Sequence, residues 1–285
     1  KPLNDAWRYR DWVVDAINRD LPINEFIRLQ IAGDLTGDPT HAIATGFFAL
    51  GPTYQADGGD PDSVARSHAE TLDDRVDVLT RGILGITVSC ARCHDHKFDP
   101  IPQQDYYSLA GVFNNSSSRD LPVPAQDVEK RLEEHQLAVA ELRKKIRNLR
   151  KLSKREREAA GDNKSGMELT PEQKEQLDQW TADLEHLEKN TPPAHATAHT
   201  LYDAGANDMK VALRGNLLTT GEVAPRRFLR IIAGPSPPLF STGSGRDELA
   251  ATVVDTHNPL TYRVFVNRVW QHHFGVGLVK TPSNF

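Results

Sequence analysis

The strongest constraint on the fold is a repeat in the middle of the chain. Val128, Leu132, His135, Val139, Leu142, Ile146 and Leu149 recur at alternating spacings of four and three, with Lys, Arg and Glu filling most positions between them. That spacing lays one apolar seam along a helix, and such a helix needs a partner to cover it. The polar stretch "SKREREAAGDNKSGMEL" breaks the pattern. Thr170-Pro171-Glu172-Gln173 then restarts it with an N-cap, a first-turn proline and a capping-box glutamine. Leu177, Trp180, Leu184 and Leu187 supply the facing seam. The expectation is an antiparallel helical hairpin, a coiled coil inserted over residues 125–192.

Residues 1–124 read as a helical domain. Trp7, Trp12, Val13, Ala16 and Ile17 share one face of a first helix, and "LPINEFIRLQIAGDL" gives a second, capped by Asn24 and ending near Gly33. "GPTYQADGGDPD" marks a loop. From about Asp62, the residues Val64, His68, Leu72, Val76, Leu79, Ile83 and Ile86 form one helix face leading to Cys90, with Gly82 and Gly85 as weak points. "PQQDYYSLAGVF" predicts a short helix and "NNSSSRDLPVP" a polar loop. After the hairpin, residues 193–245 read as a short β and loop connection. Val211 and Leu213 alternate with polar neighbours there, and "GPSPPLFSTGSG" has the composition of a surface linker. Residues 246–285 start a second helical domain, with two helices split by Asn258-Pro259.

Composition narrows the function classes. Hydrophobic residues make up 38% and charged residues 26%, with a formal net charge of −5, which describes a soluble, mildly acidic, folded chain with no overall attraction to nucleic acid or an anionic membrane. No apolar run approaches the ~20 residues of a spanning helix. The chain opens without Met, inside an amphipathic pattern, and stops at "LVKTPSNF", just past a helix. It is therefore expected to be a processed product or an internal segment of something longer.

The chemistry lies in "SCARCHDHKFDP", which holds the only two cysteines, Cys90 and Cys93, with His94 next to the second. C-x-x-C-H suits a covalent c-type haem: two thiols three positions apart reach the two vinyl groups of one porphyrin, and the adjacent imidazole serves as proximal iron ligand. Zinc is the rival, with Cys90, Cys93 and His94 completed by His96 or a distant histidine. A redox dithiol would need a thioredoxin-like context, whereas this neighbourhood is helical. Asp95, His96 and Lys97 are candidates to line a substrate pocket beside the haem or to contact its propionates; the alternative is a set of solvated turn residues. For the second axial position the candidates are His272 and His273, of which a helix can aim only one at the iron. Met167, Met209, His41 and His257 remain open. His68 is placed about 33 Å from Cys90 if its helix runs on unbroken.

These residues carry a family resemblance. "LDDRVDVLTRGILGITVSCARCHDHKFDPIPQQDYYSLAGVF" resembles the central motif of planctomycete-type cytochrome c-like secreted proteins, which contain paired domains of unknown function around a CxxCH motif. "AWRYRDWVVDAINRDLPINEFIRLQIAGDL" is similar to their first domain, "RGNLLTTGEVAPRRFL" to the stretch between the domains, and "NPLTYRVFVNRVWQHHFGVGLVKTPSNF" to the opening of the second. The resemblance implies an extracytoplasmic, periplasmic or equivalent c-type haem protein with a redox role.

Together these readings predict a mainly α protein: a helical haem-bearing body, an inserted hairpin and a small β-containing connection. The first functional expectation is a haem-dependent oxidoreductase acting on an organic, carbohydrate-derived substrate. An electron-transfer subunit passing electrons to a redox partner protein is the second. A structural module with a zinc staple, its hairpin serving as the oligomerisation surface, is the third.

Overall fold

The computed structural model describes residues 3–54, 56, 60–124, 126–160, 170–192 and 196–285. The protein is mainly α. In chain order its elements are α1 (Trp7–Asn18), α2 (Ile23–Ala32), α3 (Pro39–Ala42), α4 (Gly46–Ala49), α5 (Pro61–Leu79), α6 (Gln103–Asn114), β1 (Ser116–Val123), α7 (Gln126–Ala160), α8 (Pro171–Lys189), β2 (Ala196–Asp203), β3 (Met209–Ala212), β4 (Thr220–Ala224), α9 (Arg230–Ala233), α10 (Arg246–Val253) and α11 (Pro259–Phe274). Two small sheets pair β1 with β2 and, antiparallel, β3 with β4. The chain divides into two compact units, Lys1–Leu121 with Thr197–Phe285, and Pro122–Ala196.

The larger unit has one main core. Ile27 and Ile31 from α2, Leu72, Val76 and Leu79 from α5, Leu109 and Phe113 from α6, Leu201 from β2 and Leu249 and Val253 from α10 are buried together. A smaller cluster around Trp12, Ala16, Leu29 and Ala44 seats α1, where Trp12 stacks on Phe26 at 5.4 Å. Trp7 and Ile17, expected on that face, are exposed, because the buried stripe runs through Trp12 and Ala16 instead. The N-cap of α2 is Pro22 rather than Asn24, which falls inside the first turn.

Charged groups tie distant segments of this unit together. The fully buried Arg246 guanidinium donates to both carboxylate oxygens of Asp34, at 2.6 and 2.7 Å, to Asp203 Oδ1 at 2.7 Å, and to the Ile31 carbonyl at 3.2 Å. Asp105, buried in α6, accepts from the Arg230 backbone N–H at 2.9 Å and from its Nε at 2.7 Å. Arg226 donates to Asp208 and to the Ala206 and Gly243 carbonyls. These contacts explain why "GPSPPLFSTGSG" is not a surface linker: Phe240 and Ser244 are buried, and the Phe240 N–H bonds the Arg226 carbonyl.

Two further expectations are corrected. The polar run after α6 forms strand β1 rather than a loop, and Arg75 holds its start by donating to the Ser116 carbonyl and to Ser118. The helix leading to Cys90 is not continuous. It passes at Thr80 into a five-residue π-turn that ends at Gly85, with φ +66°. That glycine is required: a Cβ there would lie 2.6 Å from Val264 of α11, and the Gly85 carbonyl accepts from the Phe285 N–H. His68 instead pairs with Asn114 at 2.8 Å, fastening α5 to the end of α6. Leu213 leaves the strand for a 3₁₀ turn and is exposed.

The smaller unit is the helical hairpin. His135 near the start of α7 meets the Leu187 carbonyl near the end of α8, so the helices run antiparallel. The expected seam residues are the shielded ones, with Val128 and Ile146 buried. The Thr170–Gln173 capping box forms in both directions. α7 continues to Ala160, through "SKREREAA", because Lys, Arg, Glu and Ala sustain a helix after the apolar seam has ended.

Candidate functional site

The motif sits on a short 3₁₀ turn, Ser89–Arg92, between the π-turn and α6. Val88 and Ala91 are fully buried and anchor the turn, which leaves Cys90 and Cys93 exposed as free thiols. The start of α6 clamps it from behind. Gln103 Nε2 donates to the carbonyls of Arg92 (3.0 Å) and of Ala212 in β3 (2.9 Å), and Tyr107 donates its hydroxyl to the Arg92 carbonyl. Tyr106 donates to Asp73 at 2.8 Å, and Arg92 lies 3.7 Å from the same carboxylate. Burial, the largest influence on both, raises the Tyr106 and Tyr107 pKa values, so these phenols act as fixed donors rather than bases.

His94 Nδ1 lies 2.7 Å from the Asp95 carbonyl. A carbonyl oxygen can only accept, so Nδ1 carries a proton, and in the neutral ring Nε2 holds the lone pair. This is the tautomer of a metal-ligating histidine, oriented by a backbone carbonyl.

The three candidate pocket residues do not converge. Asp95 accepts from the Gln103 N–H at 2.8 Å and so caps the approach to α6. The His96 side chain is only 5% exposed, and its Nδ1 accepts the Asp99 N–H at 2.9 Å, closing the loop on itself. Nδ1 cannot also donate to the Asp99 carboxylate 3.2 Å away. Lys97 is exposed, with its ammonium 5.1 Å from the Phe98 ring at the loop tip. His272 and His273 are exposed on the last turn of α11, where His273 contacts Phe274. His41 and His257 are engaged with Thr36 and Asp255 in their own turns, and Met209 packs against the main core. Met167 lies outside the described residues.

Sequence reasoning missed the neighbour of the motif. A cleft of about 440 Å³ is lined by Asp62, Arg66, Glu70, Arg92, Gly215 and Leu217, among others. Gly215, at φ +75°, lies against Cys93: a Cβ there would approach Sγ to 2.5 Å. The signal lay in "RGNLL", more than 120 residues from Cys93, and only the β3–β4 turn brings the two together. Gly215→Ala is therefore expected to destabilise the protein by roughly 1–2 kcal/mol through its left-handed backbone alone. It should also push Cys93 outward. Urea midpoints and the rate of Cys93 alkylation measure the two effects, and wild-type values for both would contradict the close packing.

Among the described residues, no group of three or more His, Cys, Asp or Glu is placed to hold a metal ion. The zinc expectation, which needs Cys90, Cys93 and His94 gathered around one point, thus finds no donor cluster in this arrangement.

Residues 1–118 match the family model described as PSCyt2, a protein of unknown function (DUF1549), and residues 245–285 match PSD1, a protein of unknown function (DUF1553). These are the paired domains of the planctomycete-type family. The chain matches a model of each. The PSCyt2 match contains the whole motif, its clamp on α6 and the Arg66 side of the cleft; the PSD1 match begins at Gly245, beside the buried Arg246. No curated protein and no solved structure matches the chain significantly. No helix among the described residues is long and apolar enough to cross a membrane.

Proposed function

We propose that this chain is an extracytoplasmic c-type haem protein, and that it works as a haem-dependent oxidoreductase on an organic substrate. The observation that carries the reading is the motif's local geometry. Two exposed thiols flank one anchored turn, and the histidine that follows is held in the ligating tautomer. Attachment at Cys90 and Cys93 adds each S–H across one vinyl C=C, forming a C–S and a C–H bond with no leaving group and no net oxidation. Bound there, a c-type haem would supply a one-electron iron couple, the chemistry needed between an organic substrate and a redox partner protein.

The protein's own groups suit that role. His94 would hold the iron through Nε2. Arg66 and Arg92 face the cleft beside Cys93 and can pair with carboxylates, those of haem propionates included. Leu217 supplies apolar contact on the same wall. Tyr107 and Gln103 fix the backbone between the cysteines, so the two thiols keep their spacing when the ring is attached.

The test is a pyridine haemochrome spectrum of denatured, reduced protein matured in a compartment that attaches haem covalently. A c-type band that survives denaturation is expected, and its absence sinks the reading. Carbon monoxide added to the folded, reduced protein then separates the two redox roles. A shifted spectrum is expected for the enzyme; an unchanged one would make the protein an electron carrier.

A further inference from the structure

The hairpin carries a charge pattern that the haem reading does not use. Residues 143–151, "RKKIRNLRK", contain six cations and no acid, in a chain whose net charge is −5. All six are exposed, and among the described residues only Arg143 has an ion-pair partner, Glu188 at 2.8 Å. Lys144, Lys145, Arg147, Arg150 and Lys151 form no ion pair with any described residue. Elsewhere in the hairpin Lys130 pairs with Glu134 and Lys189 with Glu185, while Arg131 and Lys174 lie in no such run. Beyond it the sequence continues with Lys154, Arg155 and Arg157, now interleaved with Glu156 and Glu158, so the acid-free run ends near Arg155.

The arrangement is directional. Arg143, Arg147, Arg150 and Lys151 stand at i, i+4, i+7 and i+8, so they share one face of α7. That face extends for about 12 Å. Like charges at these spacings repel and weaken the helix, a cost with no folding benefit here. The apolar residues of the run turn away: Ile146 is buried and Leu149 is half-buried in the hairpin seam.

We infer that this face binds a linear anionic polysaccharide. A single phosphate or carboxylate would need convergent donors around a pocket, whereas these cations are strung out in series and match a polymer with repeating charges. The run contains no aromatic side chain on which bases could stack, which disfavours single-stranded nucleic acid. It also exposes no apolar side chain for insertion into a bilayer, which disfavours a membrane.

Heparin chromatography of the full chain tests the inference, with a sulfated polysaccharide as the probe. The wild type should be retained despite its net negative charge. A quadruple variant, Lys144→Gln with Arg147→Gln, Arg150→Gln and Lys151→Gln, should elute much earlier. By analogy with nucleic acids, the slope of log affinity against log salt should become shallower by about 3. Unchanged circular dichroism would confirm that the hairpin is intact, because none of the four side chains has an ion-pair partner to lose among the described residues. Failure of the wild type to bind, or equal elution of the variant, overturns the inference. So would tighter binding to phosphatidylglycerol vesicles or to single-stranded DNA than to heparin at the same salt. None of these outcomes depends on haem.

Discussion

Asp34→Ala should lower the unfolding free energy by about 3–5 kcal/mol, the range for removing one partner of a buried ion pair. Arg246 is fully buried, and its five donors are spent on two carboxylates and one carbonyl. Deleting the bidentate Asp34 leaves the guanidinium half-compensated in a place water does not reach. The effect should be global, because the same arginine joins the end of α2, the Asp203 end of β2 and the first turn of α10. Burial opposes the charge on Arg246, yet hydrogen bonds and attraction from Asp34 and Asp203 outweigh it and hold its pKa raised. Burial likewise pushes the pKa of Asp203 up, but hydrogen bonds from Ser244 and the charge of Arg246 outweigh it and hold the carboxyl below the ordinary value of 3.8. A carboxylate depressed in this way contributes stability that is present above 3.8 and is lost as pH falls through the lower folded value. Urea midpoints of wild type and variant, measured at neutral pH and again between about pH 5 and 3, check both claims. A change within about 0.5 kcal/mol, the range of an ordinary surface substitution, would contradict the role assigned to Arg246.

Arg246 also shows why parts of the fold could not be read from the sequence. The hairpin was legible because its information is one-dimensional. The four-three seam, the Thr170–Gln173 box and Pro171 all act within a few residues, and the structure repeats them position by position. Strand β1 has no such signature. "SSSRDLPV" shows no alternation, and it becomes a strand because Arg75, some forty residues earlier, holds Ser116 while β2 supplies a ladder. The stretch "GPSPPLFSTGSG" has linker composition, yet Arg226 and Asp203 fix its backbone and bury Phe240. Where a residue's state depends on a partner far along the chain, local composition misreads it.

The site divides along the same line. The Cys90, Cys93 and His94 spacing was legible because thiol geometry is local. The neighbouring Asp95 and His96 looked like site residues by type, but each makes a short-range backbone hydrogen bond that shapes the loop. Arg66 carries no motif, and Gly215 lies in a stretch whose sequence does not say that it meets Cys93; both reach the cleft only through the packing of α5 and the β3–β4 turn.

The double variant Cys90→Ala with Cys93→Ala should lose all covalent haem and keep its fold. The first expectation follows from chemistry: without either thiol, nothing can add to the vinyl groups. The second follows from structure, because both side chains are exposed and neither contributes to the core, so the stability of the haem-free chain should move by no more than about 0.5 kcal/mol. A single variant should retain one thioether, and the remaining unsaturated vinyl group extends the conjugation, which moves the haemochrome band to longer wavelength. Haemochrome spectra, intact mass and urea midpoints of the three variants measure all of this together. Loss of haem with the fold retained fits a redox site mounted on a scaffold that is already stable. Loss of fold in the double variant, accompanied by zinc in the wild type, would instead show that the thiols hold a structural metal. That result would reject the redox reading outright, since the two thiols and His94 would then be ligands of a structural zinc rather than the groups that hold a haem.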